Sequence, residues 1–206
     1  MALLDPGELA VDPLVAARRL LGCELVADVA EGEVRVRLVE VEAYRGPDDP
    51  GSHCFRGRTT RNAVMWGPPG HLYVYFVYGM HFCANVVCLN EGEAGAVLLR
   101  AAEVLSDPAM AHARRPTARG RGADLARGPA RLCALLGLTR EHNGADLADP
   151  GSPVRLVDGP RPTLVEAGPR VGVAAGQRRP WRLWVPGTRA VSPYHPGRPR
   201  EDGPDW

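Results

Sequence analysis

No lysine occurs among the 206 residues; all 25 basic side chains are arginine. Codon bias in a GC-rich genome accounts for that, but a chemical consequence remains. No side-chain amine is present to form a Schiff base with a carbonyl carbon, which removes one route of covalent catalysis. Long apolar runs are also missing, so no helix of about 20 residues can span a bilayer. The opening stretch, MALLDPGELAVDP, has no basic segment and carries acids where a signal peptide is apolar. The expectation is an unexported, cytoplasmic protein. Cys23, Cys54, Cys83, Cys88 and Cys133 are odd in number and lack CxxC spacing, which argues against a disulfide framework. An excess of one charge is lacking too: 25 basic residues face 24 acidic ones. Their distribution is uneven. Residues 1–55 carry five Arg against eleven acids, and residues 56–206 carry twenty Arg against thirteen. The basic remainder permits a cationic face without requiring one.

Hydrophobic residues make up 45% and charged residues 24%, the usage of one globular domain and not of a disordered chain. With 24 Gly and 20 Pro, helices should be few and short. Asp12-Pro13 reads as a helix start, with a helix over 13–21 closing at Gly22. A second helix spans Pro129–Leu136, between Gly128 and Gly137. Strands are expected at Glu24–Val29 and 34–44, the latter stuttering at Leu38-Val39 as a bulge would. The runs 72–78, 82–89 and 96–105 form an antiparallel meander. Short strands follow at Val154–Val157, 170–173 and 183–185, while 46–61 and 107–122 read as loops. The fold class is a mixed α/β single domain with an antiparallel β-meander core, a few short helices and a protruding hairpin. The domain core runs from about 13 to 191, and 192–206, rich in proline, is expected to be a loose tail.

Chemistry concentrates between residues 40 and 100. In an unbroken strand Glu42 and Tyr44 share a face with Val34, Val36 and Leu38. A carboxylate at the mouth of that apolar face would be partly desolvated and drawn towards general-base range. A solvent-facing Glu paired with Arg is the plainer alternative, and the stutter leaves the face open. His53 sits in a loop ahead of Arg56, Arg58 and Arg61, where a structural hydrogen bond is its ordinary use. Its neighbours Cys54, His71, His81, Cys83 and Cys88 match no zinc spacing, and no metal is expected. Tyr75 and Tyr78, three apart, face opposite sides of an extended strand. One can line a pocket while the other projects from the turn at Gly79; a β-core is the simpler use of both. Asn85 and Arg100 lie on neighbouring strands, and a strand Asn calls for a buried partner.

Several motifs in order resemble one family. They are Val39-Glu40-Val41-Glu42-Ala43-Tyr44, Gly46-Pro47-Asp48-Asp49-Pro50 with His53, Thr60-Arg61-Asn62, and Gly67-Pro68-Pro69-Gly70 with Tyr73-Val74-Tyr75. Tyr78-Gly79-Met80, Asn85-Val86-Val87, Leu98-Leu99-Arg100-Ala101, Arg127-Gly128-Pro129 and Arg170-Val171-Gly172-Val173 continue the series. The chain resembles the 3-methyladenine (alkyladenine) DNA glycosylases of the Mpg type, from about Pro13 to Val191. That resemblance implies a β-hairpin inserted into the minor groove of DNA and a damaged purine flipped into a pocket. It implies Glu42 as the activator of the attacking water and Arg100 as its neighbour near water and phosphate. Tyr44, His53 and Tyr75 would hold the base. Asn85 would screen out the guanine amino group, Leu98 would border the pocket, and Tyr78 would fill the gap in the duplex. Arg56, Arg58 and Arg61 lie where the family contacts the DNA backbone.

The implied reaction is hydrolysis of the N-glycosidic bond of alkylated or deaminated purines (3-methyladenine, 7-methylguanine, hypoxanthine, ethenoadenine), with no cofactor. Without lysine, the enzyme should be monofunctional and leave an abasic site unnicked. The expected partner is double-stranded DNA containing damaged purines, and the expected state is a monomer acting on the bacterial nucleoid. Two other readings stay open: a homologue that binds lesions or DNA without cleaving, and a His/Cys metalloenzyme.

Overall fold

Capping chemistry sets the helices. The computed structural model describes residues 2–118 and 122–198. Helix α1 (Pro13–Leu20) starts where the Asp12 carboxylate accepts the Leu14 N–H at 2.9 Å. It stops short of Gly22, whose φ is 88° and whose added Cβ would lie 2.1 Å from the Pro160 carbonyl oxygen. Only glycine fits there. Helix α2 (Pro108–Arg114) corrects the sequence expectation of a loop across 107–122: Asp107 caps the N–H groups of Ala109 and Met110, and Pro108 occupies the first turn. That cap stands directly before an arginine-rich stretch with the composition of a loop; residues 119–121 lie outside the described residues. Helix α3 (Pro129–Leu136) has the predicted bounds and ends at left-handed Gly137.

The strands are β1 (Glu24–Val29), β2 (Gly32–Tyr44), β3 (Leu72–Val77), β4 (His81–Val87), β5 (Ala96–Val104), β6 (Val154–Val157), β7 (Glu166–Gly168) and β8 (Arg182–Trp184). All pair antiparallel in the order β3-β4-β5-β2-β1-β6, with β8 joined to β2 and β7 to β8. The predicted meander is therefore β3-β4-β5. The predicted strand at 170–173 is absent: Gly172 takes φ 72°, and the Val171 and Gly172 N–H groups bond to Glu42 and to the His195 carbonyl instead of to a strand.

One edge of β2 changes partner along its length. Residues 32–37 pair with β1 and residues 40–42 pair with β8. Between these stretches the ladder with β5 carries two register shifts, at Leu38/Glu40 and at Glu40/Val41. Val39 is the extra residue on β2, and Arg100 is the extra residue on β5. The two bulges offset one another, so Leu38 opposes Ala102 and Val41 opposes Leu99 in one continuous register.

The core-facing residues consequently change parity. Val34, Val36 and Leu38, then Val41 and Ala43, all enter the main apolar cluster with Leu20, Leu99, Leu132 and Leu135. Each such leucine contributes about 1.5–3 kcal/mol by burial. Glu40 and Glu42 turn to the opposite face. The expectation that Glu42 shares the face of Val34, Val36 and Leu38 holds only for an unbroken strand, and the bulge overturns it.

The predicted loose tail begins at Ser192, yet Ser192 is buried, with its N–H donated to Glu40 at 2.6 Å. Residues 193–198 carry no regular secondary structure and are mostly exposed, and 199–206 lie outside the described residues. Among the described residues, no helix is long and apolar enough to cross a membrane.

Candidate active site

On the face opposite the main core, pairing aligns one row across four strands: Glu42 opposes Leu98, Leu98 opposes Asn85, and Asn85 opposes Tyr73. A cavity of about 620 Å³ opens over this row, lined by Tyr44, His53, Tyr75, Asn85, Leu98 and Arg100. The exposed Arg56, Arg61 and Tyr78 also line it, whereas exposed Arg58 does not.

Glu42 has no exposed surface and does not itself line the cavity; it lies behind the lining residues Tyr44, Arg100 and Val171, which it contacts. Its Oε1 accepts the Val171 N–H at 2.7 Å and lies 3.2 Å from Arg100 Nη1; its Oε2 accepts the Tyr44 hydroxyl at 2.8 Å. Two hydrogen bonds, from strand β2 and the 170–175 loop, and one ion pair, from strand β5, thus fix the carboxylate. Burial and the Glu42 charge push the Tyr44 phenol well above its ordinary range, so it stays protonated as a donor. Burial works against the Arg100 cation, but Glu42 and Glu40 outweigh it and raise its pKa.

The aromatic wall is built on β3. Tyr73 and Tyr75, two apart, share one face and stack at 5.5 Å between centroids. His53 meets Tyr75 edge-on at 4.6 Å, and its Nδ1 lies 3.1 Å from the Tyr73 hydroxyl. The His53 side chain keeps an open edge to solvent, yet the protein packed around its ring, and then the Arg61 guanidinium, hold the imidazole below the ordinary His range. Both effects favour the neutral ring over the cation. Burial pushes the Tyr73 phenol up to about 12, and burial with Cys83 beside it raises Tyr75 well above the usual value. Asn85 is buried and donates Nδ2 to the Tyr73 carbonyl at 3.2 Å, which supplies the partner its strand position requires.

Tyr78 sits at the tip of the β3-β4 hairpin with 84% of its surface exposed. Its φ is 53° and that of Gly79 is 67°, with Met80 N–H bonded to the Val77 carbonyl at 3.2 Å. Positive φ at both central residues is the mark of a mirror-image hairpin turn, for which Asn-Gly is the favoured pair. A bulky aromatic there costs about 1–2 kcal/mol and gains no packing in return.

Some residues of the site stand in the quoted motifs without a pattern that reveals their role. Arg170 has no exposure and grips Asp49 with two nitrogens at 2.5 and 2.7 Å, while its guanidinium lies 4.6 Å from the Tyr44 ring centre. This pair backs Tyr44 and ties down the loop that carries His53. No local pattern signals a contact across 121 positions. Tyr73 was detectable, since its spacing of two from Tyr75 puts both on one face. Val171 acts through its backbone N–H, which no side-chain pattern reveals. Among the described residues no three His, Cys, Asp or Glu side chains gather as a metal-binding set. The cysteines are buried and free, and burial raises the Cys54 thiol to about 11.

Comparison with known proteins adds to this geometry. The family described as methylpurine-DNA glycosylase (MPG) matches residues 8–189. A protein of Nocardia farcinica is 53% identical, covering 94% of this chain and 92% of its own length. Similar relatives occur in Streptomyces avermitilis, at 49% identity over 91% of this chain and 89% of the relative, and in Mycobacterium tuberculosis, at 52% over 93% and 94%. All three carry, provisionally, the name 3-methyladenine DNA glycosylase.

Proposed function

Because the chain belongs to the methylpurine-DNA glycosylase family, we propose that it excises alkylated and deaminated purines from duplex DNA by Glu42-directed attack of water. The supporting observation is a fully buried carboxylate, held by two hydrogen bonds and an ion pair from three residues that line a tyrosine-walled cavity.

Extruding a base costs a few kcal/mol. The Tyr78 ring, carried forward on a strained turn, occupies the vacated stack and offsets that cost. Tyr44, His53 and Tyr75 hold the flipped purine, at about 1–3 kcal/mol per stacked aromatic. Electron-rich rings favour cationic alkylpurines, and a neutral His53 adds no repulsion. The Asn85 amide, fixed by Tyr73, obstructs a 2-amino group, and Leu98 packs beside the base. Arg56, Arg58 and Arg61 meet phosphates around the cavity mouth.

Glu42 takes a proton from water as the oxygen bonds to C1′. The C1′–N bond breaks, and its electron pair leaves with the purine. The carboxylate also stabilises the oxocarbenium-like charge, while Arg100 orients Glu42 and the water. The product is an abasic site. With no lysine to attack the opened sugar, the strand is left intact. One protomer carries the whole set of residues, so the enzyme works as a monomer.

Duplexes containing a single ethenoadenine, hypoxanthine or 3-methyladenine test this reading. Wild type should generate abasic sites, and Glu42→Gln should lose about 10²–10⁴-fold of the rate. Equal activity in the variant moves the base elsewhere. Lesion binding without cleavage by wild type makes the protein a lesion-binding relative. A borohydride-trapped protein–DNA adduct overturns monofunctionality.

A further inference from the structure

Two residues before Glu42, on the same face of β2, lies a second carboxylate with no exposure, Glu40. It has no part in the chemistry above, and of its partners only Arg100 lines the cavity. Its Oε1 accepts from Arg100 Nε at 2.9 Å, Arg182 Nε at 2.7 Å and the Ser192 hydroxyl at 2.8 Å. Its Oε2 accepts the Ser192 N–H at 2.6 Å. The ring closes on itself. Arg100 Nη2 donates to the Ser192 hydroxyl at 3.1 Å, and Arg182 Nη2 donates to the Ser192 carbonyl at 2.6 Å.

Every Arg100 nitrogen is thereby committed. Nε and Nη2 are held by Glu40 and Ser192, and Nη1 is left to face Glu42 Oε1 at 3.2 Å. Two buried carboxylates balance two buried guanidinium groups. Stability does not demand such an assembly, since apolar side chains of similar volume commonly serve as well or better. What an apolar core cannot do is hold a guanidinium in one orientation.

We propose that Glu40 is a positioning residue for base excision, locking Arg100 so that Nη1 is delivered to Glu42. Arg182 and Ser192 complete the lock. The segment from Ser192 is thus a working part of the site: it also supplies the His195 carbonyl that accepts the Gly172 N–H, next to the Val171 N–H on Glu42. This inference rests on the reading of Glu42 and Arg100 as the reacting pair.

The test compares single-turnover excision with lesion-duplex affinity. Glu40→Gln should slow excision by up to about 10²-fold, the cost of a misplaced catalytic contact, and leave affinity unchanged. Ser192→Ala should cause a smaller loss in the same direction. In an Arg100→Gln background, Glu40→Gln should add nothing, because it acts through Arg100. Losses that add in that background indicate general structural damage and overturn the proposal. If Glu40→Gln does not fold, the charge-balanced Glu40→Gln/Arg182→Leu and Ser192→Ala carry the test, and wild-type rates in both overturn it. Glu42→Gln separates the two levels. Full activity there removes the underlying reading, whereas an inactive Glu42→Gln beside wild-type rates in the Glu40 variants removes this inference alone.

Discussion

Both halves of β2 keep their charges on the face away from the main core, partly exposed in the first half and buried in the second. Before the bulge, Arg35 and Arg37 point away from the core at 31% and 34% side-chain exposure, both reaching Glu24 on β1. After it, Glu40 and Glu42 are wholly buried among arginines brought from β5 and β8. The difference comes from one extra residue on each of two paired strands. Because the bulges offset, the ladder keeps its register and the apolar core stays continuous. Only the non-core face is rebuilt, and the site is built there. Ion pairs in the first half join partly exposed arginines to a buried Glu24 that has two partners, so either arginine is replaceable. Those in the second half are buried, so each partner depends on the others.

That contrast can be broken experimentally. The largest expected effect on stability comes from Asp49→Ala, which leaves Arg170 buried and uncompensated; urea unfolding should show a loss of about 3–5 kcal/mol. A loss below 1 kcal/mol would mean that the buried side is no more interdependent than the surface. Tyr78→Gly should act in the reverse sense, raising stability by about 1 kcal/mol through relief of the left-handed strain, while excision from duplex DNA falls. A variant that is more stable and equally active would leave the exposed tyrosine without a purpose. Smallest is Arg37→Ala. Glu24 keeps Arg35, so thermal unfolding should shift by no more than about 1 kcal/mol, with excision unaltered.

Local chemistry made much of the fold legible. Asp12-Pro13 and Gly137 mark helix ends that any chain must respect, and alternation places β1 and the meander within a residue or two. The same rules overlooked α2, whose Asp107-Pro108 cap stands beside an arginine-rich stretch. Ordered motifs single out Glu42, Tyr44, His53, Tyr75, Tyr78, Asn85, Leu98 and Arg100, and the fold brings seven of them to the lining of one cavity with Glu42 directly behind Tyr44 and Arg100. The same motifs contain Glu40, Asp49 and Arg170 but give them no role. Arg170 meets Asp49, and Glu40 meets Arg182 and Ser192, across 121 to 152 positions of chain.

The sequence by itself determined the caps, the strand periods, the lack of any lysine amine and the order of motifs that marks the family. It also determined that β2 would stutter, since Leu38-Val39 breaks the alternation. Tertiary structure alone decided which way the stutter turns Glu40 and Glu42. Side-chain direction beyond a bulge depends on where the partner strand accommodates its own extra residue, and that partner, with Arg100 at its bulge, lies 60 residues away from Glu40.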